Sequence, residues 1–201
     1  MHVVGVVLAA GESRRMGRLK ALLPFGPVTV IEQVVEGLRR APLARVAVVL
    51  GHRAAEIAAA LGRLPVDIVY NPHYRQGMTT SVQAALRALV PPPDAYLLAL
   101  VDQPHLGLEP VMQVLTAYVQ SGKGIVIPTY QGKRGHPIVL SAAYREAVLA
   151  LGPEQGLHLV TRGHPEDTLE VPMATDDVLH DMDEEADYQA LLRRWQQRMP
   201  S

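Results

Sequence analysis

The residues best suited to chemistry lie in a loop directly after the first apolar run. The loop reads L-A-A-G-E-S-R-R-M-G-R-L-K from Leu8 to Lys20. The loop contains four small residues, Ala9, Ala10, Gly11 and Gly17. Small side chains would let a base and phosphates come close to the backbone. Ser13 adds a hydroxyl donor, while Arg15 and Lys20 add cationic donors suited to a triphosphate. The loop is predicted to bind a nucleotide, and the alternative is a glycine turn with solvated arginines.

The glycine spacing of this loop matches neither of two common phosphate-binding motifs. It contains neither G-x-x-x-x-G-K-[ST] nor G-x-G-x-x-G, so it is neither a P-loop nor a dinucleotide fingerprint. The later apolar run V-A-V-V-L is followed by Gly51 and His52 rather than by an acidic residue. A Rossmann dehydrogenase is therefore disfavoured.

Candidate metal ligands occur in two segments. Asp102 ends the run A-Y-L-L-A-L-V, and Pro104 stops a strand from continuing. A carboxylate at the edge of a sheet can bind Mg²⁺ as a hard oxygen ligand, although an Asp before a Pro turn is more commonly a turn residue. Asp181 and Asp183 alternate in H-D-M-D-E-E-A-D-Y, so one of them could complete a metal site with Asp102. The alternative is an ordinary acidic helix start formed by Asp183, Glu184 and Glu185.

A third segment, N-P-H-Y-R-Q-G-M-T-T-S-V, places polar groups at a predicted helix start. Gly77 precedes a helix whose first turn holds Thr79, Thr80 and Ser81. Free backbone amides and hydroxyls at a helix amino end can bind an anion. Capping of the helix by Thr79 or Thr80 is the simpler alternative.

A basic glycine turn, G-K-R-G-H-P-I-V-L, begins at 132. Lys133, Arg134 and His136 could hold an anionic acceptor there. An incidental histidine in a turn is the alternative.

These segments need a scaffold, and the apolar pattern predicts one. Short β-branched runs occur at 3–8, 46–50, 66–70, 96–101 and 124–127, as expected for strands covered on both faces. Segments of helical period alternate with them, and a strand at 137–140, a helix near 141–151, a strand at 168–171 and a helix at 186–197 follow. We expect a single α/β domain over residues 1–201, a doubly wound and mostly parallel sheet with helices on both faces.

Composition limits the function further. The 201 residues include 19 basic and 20 acidic side chains, which leaves a net charge of −1 and no broad positive field for nucleic acid. There are no cysteines, which excludes disulfides and thiolate chemistry. The apolar run near the amino terminus is interrupted at Gly11 and has no basic leader, so we expect a cytoplasmic protein with no membrane partner.

Taken together, these motifs resemble the molybdenum cofactor nucleotidyltransferases, most closely their cytidylyltransferase branch. The resemblance spans nearly the whole chain, and its most specific part is L-A-A-G-x-S-x-R-M-G-x-x-K at 8–20. Further matches are G-M-x-x-S-V at 77–82, D-x-P at 102–104, R-G-H-P at 134–137 and D-x-D followed by D-Y at 181–188.

The resemblance implies roles for individual residues. Lys20 and Arg15 would bind the NTP phosphates and act in catalysis with Asp102. Asp102 would ligate magnesium together with Asp181 or Asp183. The residues that would surround the nucleotide are Leu8, Ala9, Ala10, Gly11, Ser13, Arg15, Gly17, Lys20, Gly77 and Ser81. The residues that would face the pterin acceptor are Arg134, Gly135 and His136.

The reaction implied is transfer of CMP from CTP to the phosphate of molybdopterin, with Mg²⁺ and with release of pyrophosphate. Ala10 favours CTP, because the guanylyltransferase branch typically has L-A-G-G here. The ending reads D-M-D-E-E-A-D instead of D-I-D-T-P-E-D, which leaves the roles of Asp181 and Asp183 open. A molybdoenzyme that receives the product is a further expected partner. The alternatives are GTP as donor, a sugar or alditol phosphate as acceptor, or a chaperone that binds the cofactor without turnover.

Overall fold

The protein is described here by a computed structural model that covers residues 1–152 and 154–198. Its strands are β1 Val3–Ala9, β2 Pro24–Phe25, β3 Val28–Thr29, β4 Arg45–Leu50, β5 Asp67–Tyr70, β6 Ala95–Leu100, β7 Ile125–Tyr130, β8 Lys133–Arg134, β9 Ile138–Ser141 and β10 Thr168–Pro172. Its α-helices are α1 Val30–Arg39, α2 Ala54–Leu61, α3 Met78–Ala88, α4 Leu108–Ser121, α5 Arg145–Leu149, α6 His158–Gly163 and α7 Glu185–Arg198.

An eight-stranded sheet runs through the protein in the order β10-β7-β9-β6-β1-β4-β5, with β8 paired to β7. Strands β6, β1, β4 and β5 are parallel neighbours, and β10 is parallel to β7. Strand β9 runs antiparallel between β6 and β7. The predicted fold class, a mostly parallel α/β sheet, is confirmed.

The sheet is covered on both faces because its central strands are almost continuously apolar. Along β1, Val3 and Val7 pack in a layer with residues of α1, α2 and α4. Val4 and Val6 point to the opposite face and pack with residues of α3 and α5. Successive side chains of a strand point to opposite faces, so a run without polar residues must be covered twice.

The structure adds elements that the apolar pattern does not predict. Strands β2 and β3 form a separate two-stranded hairpin, and β8 is equally short. Two-residue strands are too short to show periodicity. The helix predicted near 141–151 is divided into a 3₁₀ turn, Ala142–Tyr144, and the short helix α5. None of the described helices is long and apolar enough to cross a membrane.

The parallel strands bring three loops to one edge of the sheet. The carboxyl ends of β1, β4 and β6 are neighbours, since β1 lies between β4 and β6. The amide of His52, after β4, donates to the carbonyl of Ala10 at 3.1 Å. The amide of Val101, after β6, donates to the carbonyl of Leu8 at 3.3 Å. Ligands bind beyond this edge in open α/β sheets, and the loops after β1 and β6 carry the predicted site residues.

One close contact between distant segments is open to a direct test. A Cβ atom at Gly135 would clash with the carbonyl oxygen of Val178, a backbone atom with little freedom to move. We expect Gly135→Ala to lower the free energy of unfolding by about 1–3 kcal/mol, measured by urea denaturation. Gly37→Ala in α1 is the matched control, because its Cβ would meet nothing within 4 Å. The control should be neutral or more stable by up to about 1 kcal/mol. Equal stability of Gly135→Ala and wild type would contradict the close approach.

Candidate functional site

The loop after β1 folds back over the end of its own strand. Ser13 has a left-handed backbone with φ 53, and a 3₁₀ turn over Arg14–Met16 follows it. Gly17 ends this turn with φ 61, a conformation that glycine adopts without steric strain. The backbone amide of Lys20 then donates to the Ser13 hydroxyl oxygen at 3.2 Å. The loop therefore returns Lys20 to the carboxyl edge of the sheet.

Lys20 lies at the centre of a cluster of charges. Its Nζ atom is 2.9 Å from Asp183 Oδ1 and 3.7 Å from Asp102 Oδ2. Arg15 Nη1 is 2.8 Å from Asp183 Oδ2. The structure therefore brings together Lys20, Arg15, Asp102 and Asp183, which come from three separate parts of the sequence.

Asp102 is a half-buried carboxylate with one buried, unused oxygen. Its Oδ1 atom is buried and has no hydrogen-bond partner among the described residues. Burial, and then the charge of Asp181, raise the pKa of Asp102 to about 6, while Lys20 opposes the shift. A buried carboxylate oxygen without a donor is suited to bind a cation.

The other two acidic residues differ in their surroundings. Asp181 Oδ1 accepts a hydrogen bond from Gln103 Nε2 at 2.9 Å, and burial raises the pKa of Asp181. The hydrogen bond from Lys20 lowers the pKa of Asp183. In the described residues no group of three or more His, Cys, Asp or Glu is arranged to hold a metal ion. The predicted trio is not preformed, because Asp183 faces Lys20 and Arg15.

The acidic helix start is present: Glu185 and Asp187 lie in the first turn of α7, and Asp183 and Glu184 directly precede it. The carboxylate of Asp187, inside the first turn of α7, accepts the amides of Asp183 and Glu184 at 3.0 and 2.8 Å. The Asp183 side chain is thus available to the cations of the loop.

A cavity of about 440 Å³ opens beside this charge cluster. Its lining includes the predicted residues Leu8, Ala9, Ala10, Gly11, Ser13, Arg15, Lys20, Gly77, Ser81, Asp102 and Asp183. Gly17 and Asp181 do not line it. The left-handed turn accounts for the glycine at position 17, and the bond from Gln103 accounts for the placement of Asp181.

The start of α3 forms one wall of the cavity. Gly77 is the residue before the helix, with φ 114, and no side chain caps the helix there. The alternative of capping by Thr79 or Thr80 is therefore wrong. The Thr79 hydroxyl instead donates to the carbonyl of Gln155 at 2.6 Å, and Asn71 Nδ2 donates to the Ser81 hydroxyl oxygen at 3.0 Å.

Sequence reasoning missed part of the same cavity. Glu12, Tyr74, Arg75 and Met78 also line it. Arg75 Nε donates to Glu12 Oε1 at 3.0 Å, and the Arg75 guanidinium lies 5.5 Å from the centre of the Tyr74 ring. Arg75 stands two residues before Gly77, so its sequence position was the available signal.

A second cavity, of about 310 Å³, holds the predicted acceptor residues Arg134, Gly135 and His136. It shares Leu8 and Met78 with the first cavity, so the two are neighbours. Its further lining is largely apolar and includes Val82, Leu98, Ile127, Ile138 and Leu157. Helix α6, which the sequence did not predict, contributes His158, Thr161 and Arg162.

The basic turn acts through fewer charges than its sequence suggests. Burial lowers the pKa of His136 to about 4, so its imidazole is neutral at pH 7 and can offer a hydrogen bond only. Arg134 Nε is 2.7 Å from Glu170 Oε1. Lys133 lines neither of the two cavities. Arg134 is therefore the one residue of the predicted trio that brings a positive charge to the second cavity.

Residues 5–168 of the chain match the MobA-like NTP transferase domain. Nicotine blue oxidoreductase of Paenarthrobacter nicotinovorans is 34% identical over 172 residues, which cover 81% of this chain and 83% of that protein. Molybdenum cofactor cytidylyltransferase of Escherichia coli is 29% identical over 137 residues, 68% of each chain. A probable molybdenum cofactor guanylyltransferase of Mycobacterium tuberculosis is 32% identical over 159 residues, 71% of this chain and 68% of that protein.

Solved structures agree with this assignment. A nucleotidyl transferase from Methanothermobacter superposes with a TM-score of 0.85 at 26% identity, covering 98% of this chain and 99% of the other. A Mycobacterium tuberculosis protein solved in complex with manganese superposes with a TM-score of 0.75 at 25% identity, covering 96% and 99%. The resemblance predicted from the motifs is confirmed: the chain belongs to the MobA-like NTP transferase domain family of nucleotidyltransferases.

Proposed function

We propose that this protein transfers CMP from CTP to the phosphate of molybdopterin, with Mg²⁺ and with release of pyrophosphate. The observation that carries the proposal is the pair of neighbouring cavities. One is lined by Lys20, Arg15 and Asp102, and the other is largely apolar with Arg134 and Arg162 in its lining. Such a pair suits a charged polyphosphate beside an acceptor with an apolar body and an anionic end.

The first cavity would hold the nucleotide. Lys20 and Arg15 both contact Asp183 in the structure, and the phosphate oxygens would take over the role of that carboxylate as their partner. Ala9 and Ala10, together with Ser81 at the start of α3, would lie against the base and ribose, where small side chains leave room. Ala10 favours cytosine by the resemblance described above, and the relatives include both cytidylyl- and guanylyltransferases.

A divalent cation would bind beside Asp102. Asp102 and Asp181 offer the hard oxygen ligands that Mg²⁺ prefers, and the amide of Met182, the residue after Asp181, donates to the carbonyl of Asp102 at 2.9 Å. The manganese complex of the mycobacterial relative is in line with a divalent metal in this family. When bound, the cation would neutralise charge on the phosphates.

The residues of the chain would then act by alignment and charge. An oxygen of the acceptor phosphate would attack the α-phosphorus of CTP, and the bond from that phosphorus to pyrophosphate would break. Lys20 and Arg15 would offset the repulsion between the two anions, while Arg134 and the neutral His136 would orient the acceptor. A phosphate monoester is already largely ionised near neutral pH, so the chemistry requires no general base.

The product identifies the reaction directly. Purified protein is incubated with Mg²⁺, molybdopterin and each of the four NTPs, and the products are identified by mass. Molybdopterin cytosine dinucleotide and pyrophosphate are the expected products. A guanine dinucleotide would show that GTP is the donor. Turnover only with sugar or alditol phosphates would show that the acceptor is not molybdopterin. Tight molybdopterin binding without pyrophosphate would indicate a chaperone.

An oxidoreductase is the second candidate, favoured by the 34% identity to nicotine blue oxidoreductase. Against it, the loop after β1 lacks the dinucleotide glycine spacing, and Gly51 follows β4 in place of an acidic residue. The same protein preparation is assayed for oxidation of NADH and NADPH in the presence of nicotine blue. Hydride transfer without pyrophosphate formation would overturn the proposed function.

Asp102→Asn tests the proposed cation ligand. Asparagine keeps the size of the side chain but removes its charge, so we expect kcat to fall by about 10²-fold or more at saturating Mg²⁺. Asp67→Asn is the matched control, because Asp67 pairs with Arg45 near the amino ends of β5 and β4. It should retain wild-type kcat. Near-normal turnover of Asp102→Asn would remove Asp102 from the mechanism.

The same Asp102→Asn variant should be more stable than wild type at neutral pH in EDTA. The folded pKa of Asp102 is raised from 3.8 to about 6, so the ionised carboxylate destabilises the fold. The free energy of unfolding of the variant should exceed that of wild type by an amount that grows as the pH rises from 3.8 to about 6 and then stays constant. This excess reaches at most about 3 kcal/mol. Thermal unfolding at acidic and alkaline pH measures it. A lower Tm of the variant at pH 8 would show that attraction to Lys20 outweighs the burial of the charge.

Lys20→Ala tests the triphosphate site. Removing a cation that meets the phosphates should lower kcat/KM for CTP by about 10²- to 10³-fold. Lys123→Ala is the control, since Lys123 contacts the carbonyl of Glu166 and lines neither cavity. Initial rates at varied CTP concentration measure both variants. Equal loss of kcat/KM in the two variants would contradict a local role of Lys20.

A further inference from the structure

Gln103 connects the loop after β6 to the segment that carries the two later aspartates. Its side chain is buried, at 3% exposure. The Nε2 atom donates to Asp181 Oδ1 at 2.9 Å and to the carbonyl of Val178 at 3.3 Å. One amide group therefore holds the segment 178–181 at two points.

Backbone contacts hold the same segment on the other side of Asp181. The amide of Met182 donates to the carbonyl of Asp102 at 2.9 Å. The Met182 side chain is fully buried in a cluster with Leu23 and Phe25. With Met182 anchored, the flanking carboxylates contact different groups: Asp181 contacts Gln103, and Asp183 contacts Lys20.

The carbonyl of Val178 also reaches the acceptor turn. It accepts the backbone amide of His136 at 3.1 Å, in addition to the amide of Gln103. Gly135 allows this approach, because a Cβ atom there would clash with the same carbonyl. The Gln103 side chain and the turn at 134–137 therefore share one acceptor.

The type of side chain at position 103 matters for a cation site. An amide can orient a carboxylate by donating a hydrogen bond without cancelling its negative charge. A lysine or arginine in its place would form an ion pair with Asp181 and weaken the attraction for a cation. Donors in the second layer around a metal typically fix ligand orientation in this way.

We infer that Gln103 is a positioning residue: it holds the Asp181 carboxylate beside Asp102 so that both can bind one divalent cation, and it ties this pair to the acceptor turn through Val178. The inference rests on the proposed function for the identity of the cation site. Gln103 lines neither of the two cavities, so it would act through Asp181.

The test is a titration of the protein with Mn²⁺ in the presence of α,β-methylene-CTP, an analogue that cannot be turned over. Electron paramagnetic resonance measures the free and bound Mn²⁺. Gln103→Met keeps the length of the side chain and removes its donor. We expect the Kd for Mn²⁺ to rise about 10-fold or more. Gln113→Met is the matched control, because Gln113 contacts Glu109 on the exposed face of α4. It should bind Mn²⁺ as wild type does.

A double variant separates positioning from a general loss of structure. If Gln103 acts through Asp181, then Gln103→Met combined with Asp181→Asn should bind Mn²⁺ no more weakly than Asp181→Asn alone. Additive losses, or an unchanged Kd in Gln103→Met, would overturn the inference. Gln103→Asn, whose shorter amide cannot span the distance to Asp181, should show the same weakening and replaces Gln103→Met if that variant does not fold.

The outcome is independent of the transfer reaction. The Mn²⁺ measurement uses the whole protein without turnover, so a failure to form the cytosine dinucleotide would leave the comparison of variants intact. Absence of Mn²⁺ binding by the wild-type protein with the CTP analogue would overturn the inference itself. A weaker site in Gln103→Met, in a protein that transfers GMP instead, would retain the inference and correct the donor.

Discussion

The half-buried carboxylate of Asp102 is the group on which the rest of the site depends. Removing a charge from water is unfavourable, and Asp181 and Asp183 add like charges nearby. Lys20 is the cation that opposes this effect, at 3.7 Å. For Lys20 to reach that place, the loop after β1 must reverse its direction. Two residues with left-handed backbone conformations, Ser13 and Gly17, turn the chain. A hydrogen bond from the amide of Lys20 to the Ser13 hydroxyl then closes the loop.

Asp183 gives the two loop cations a partner within the protein. Lys20 and Arg15 are held at one carboxylate, so their positions do not depend on a bound anion. Groups that are already oriented need little rearrangement when a ligand arrives, which is the basis of electrostatic preorganisation. Together with Asp102, which also faces Lys20, this carboxylate balances the two positive charges of the cluster.

The apolar runs and motifs of the sequence predicted the sheet and the residues at its carboxyl edge. The side-chain pairs within the site depend on long-range contacts, which the sequence does not show. Continuous apolar runs identified β1, β4 and β6, and the common direction of parallel strands placed Lys20 near Asp102. Nothing in the sequence indicates that Arg75 pairs with Glu12, or that Gln103 pairs with Asp181, because these contacts join residues 63 and 78 positions apart. The neutrality of His136 follows from burial, which a turn sequence does not reveal. Helix α6 has only six residues, too few for a periodic signal.

Leu8 and Met78 border both cavities, and this shared boundary has a consequence for release. Two ligands that sit side by side and become covalently joined turn into a single molecule that occupies both cavities. Such a molecule keeps the contacts of both halves while losing its freedom only once, so it is held more firmly than either half alone. In the proposed reaction, release of the joined product would therefore be slower than release of either substrate alone.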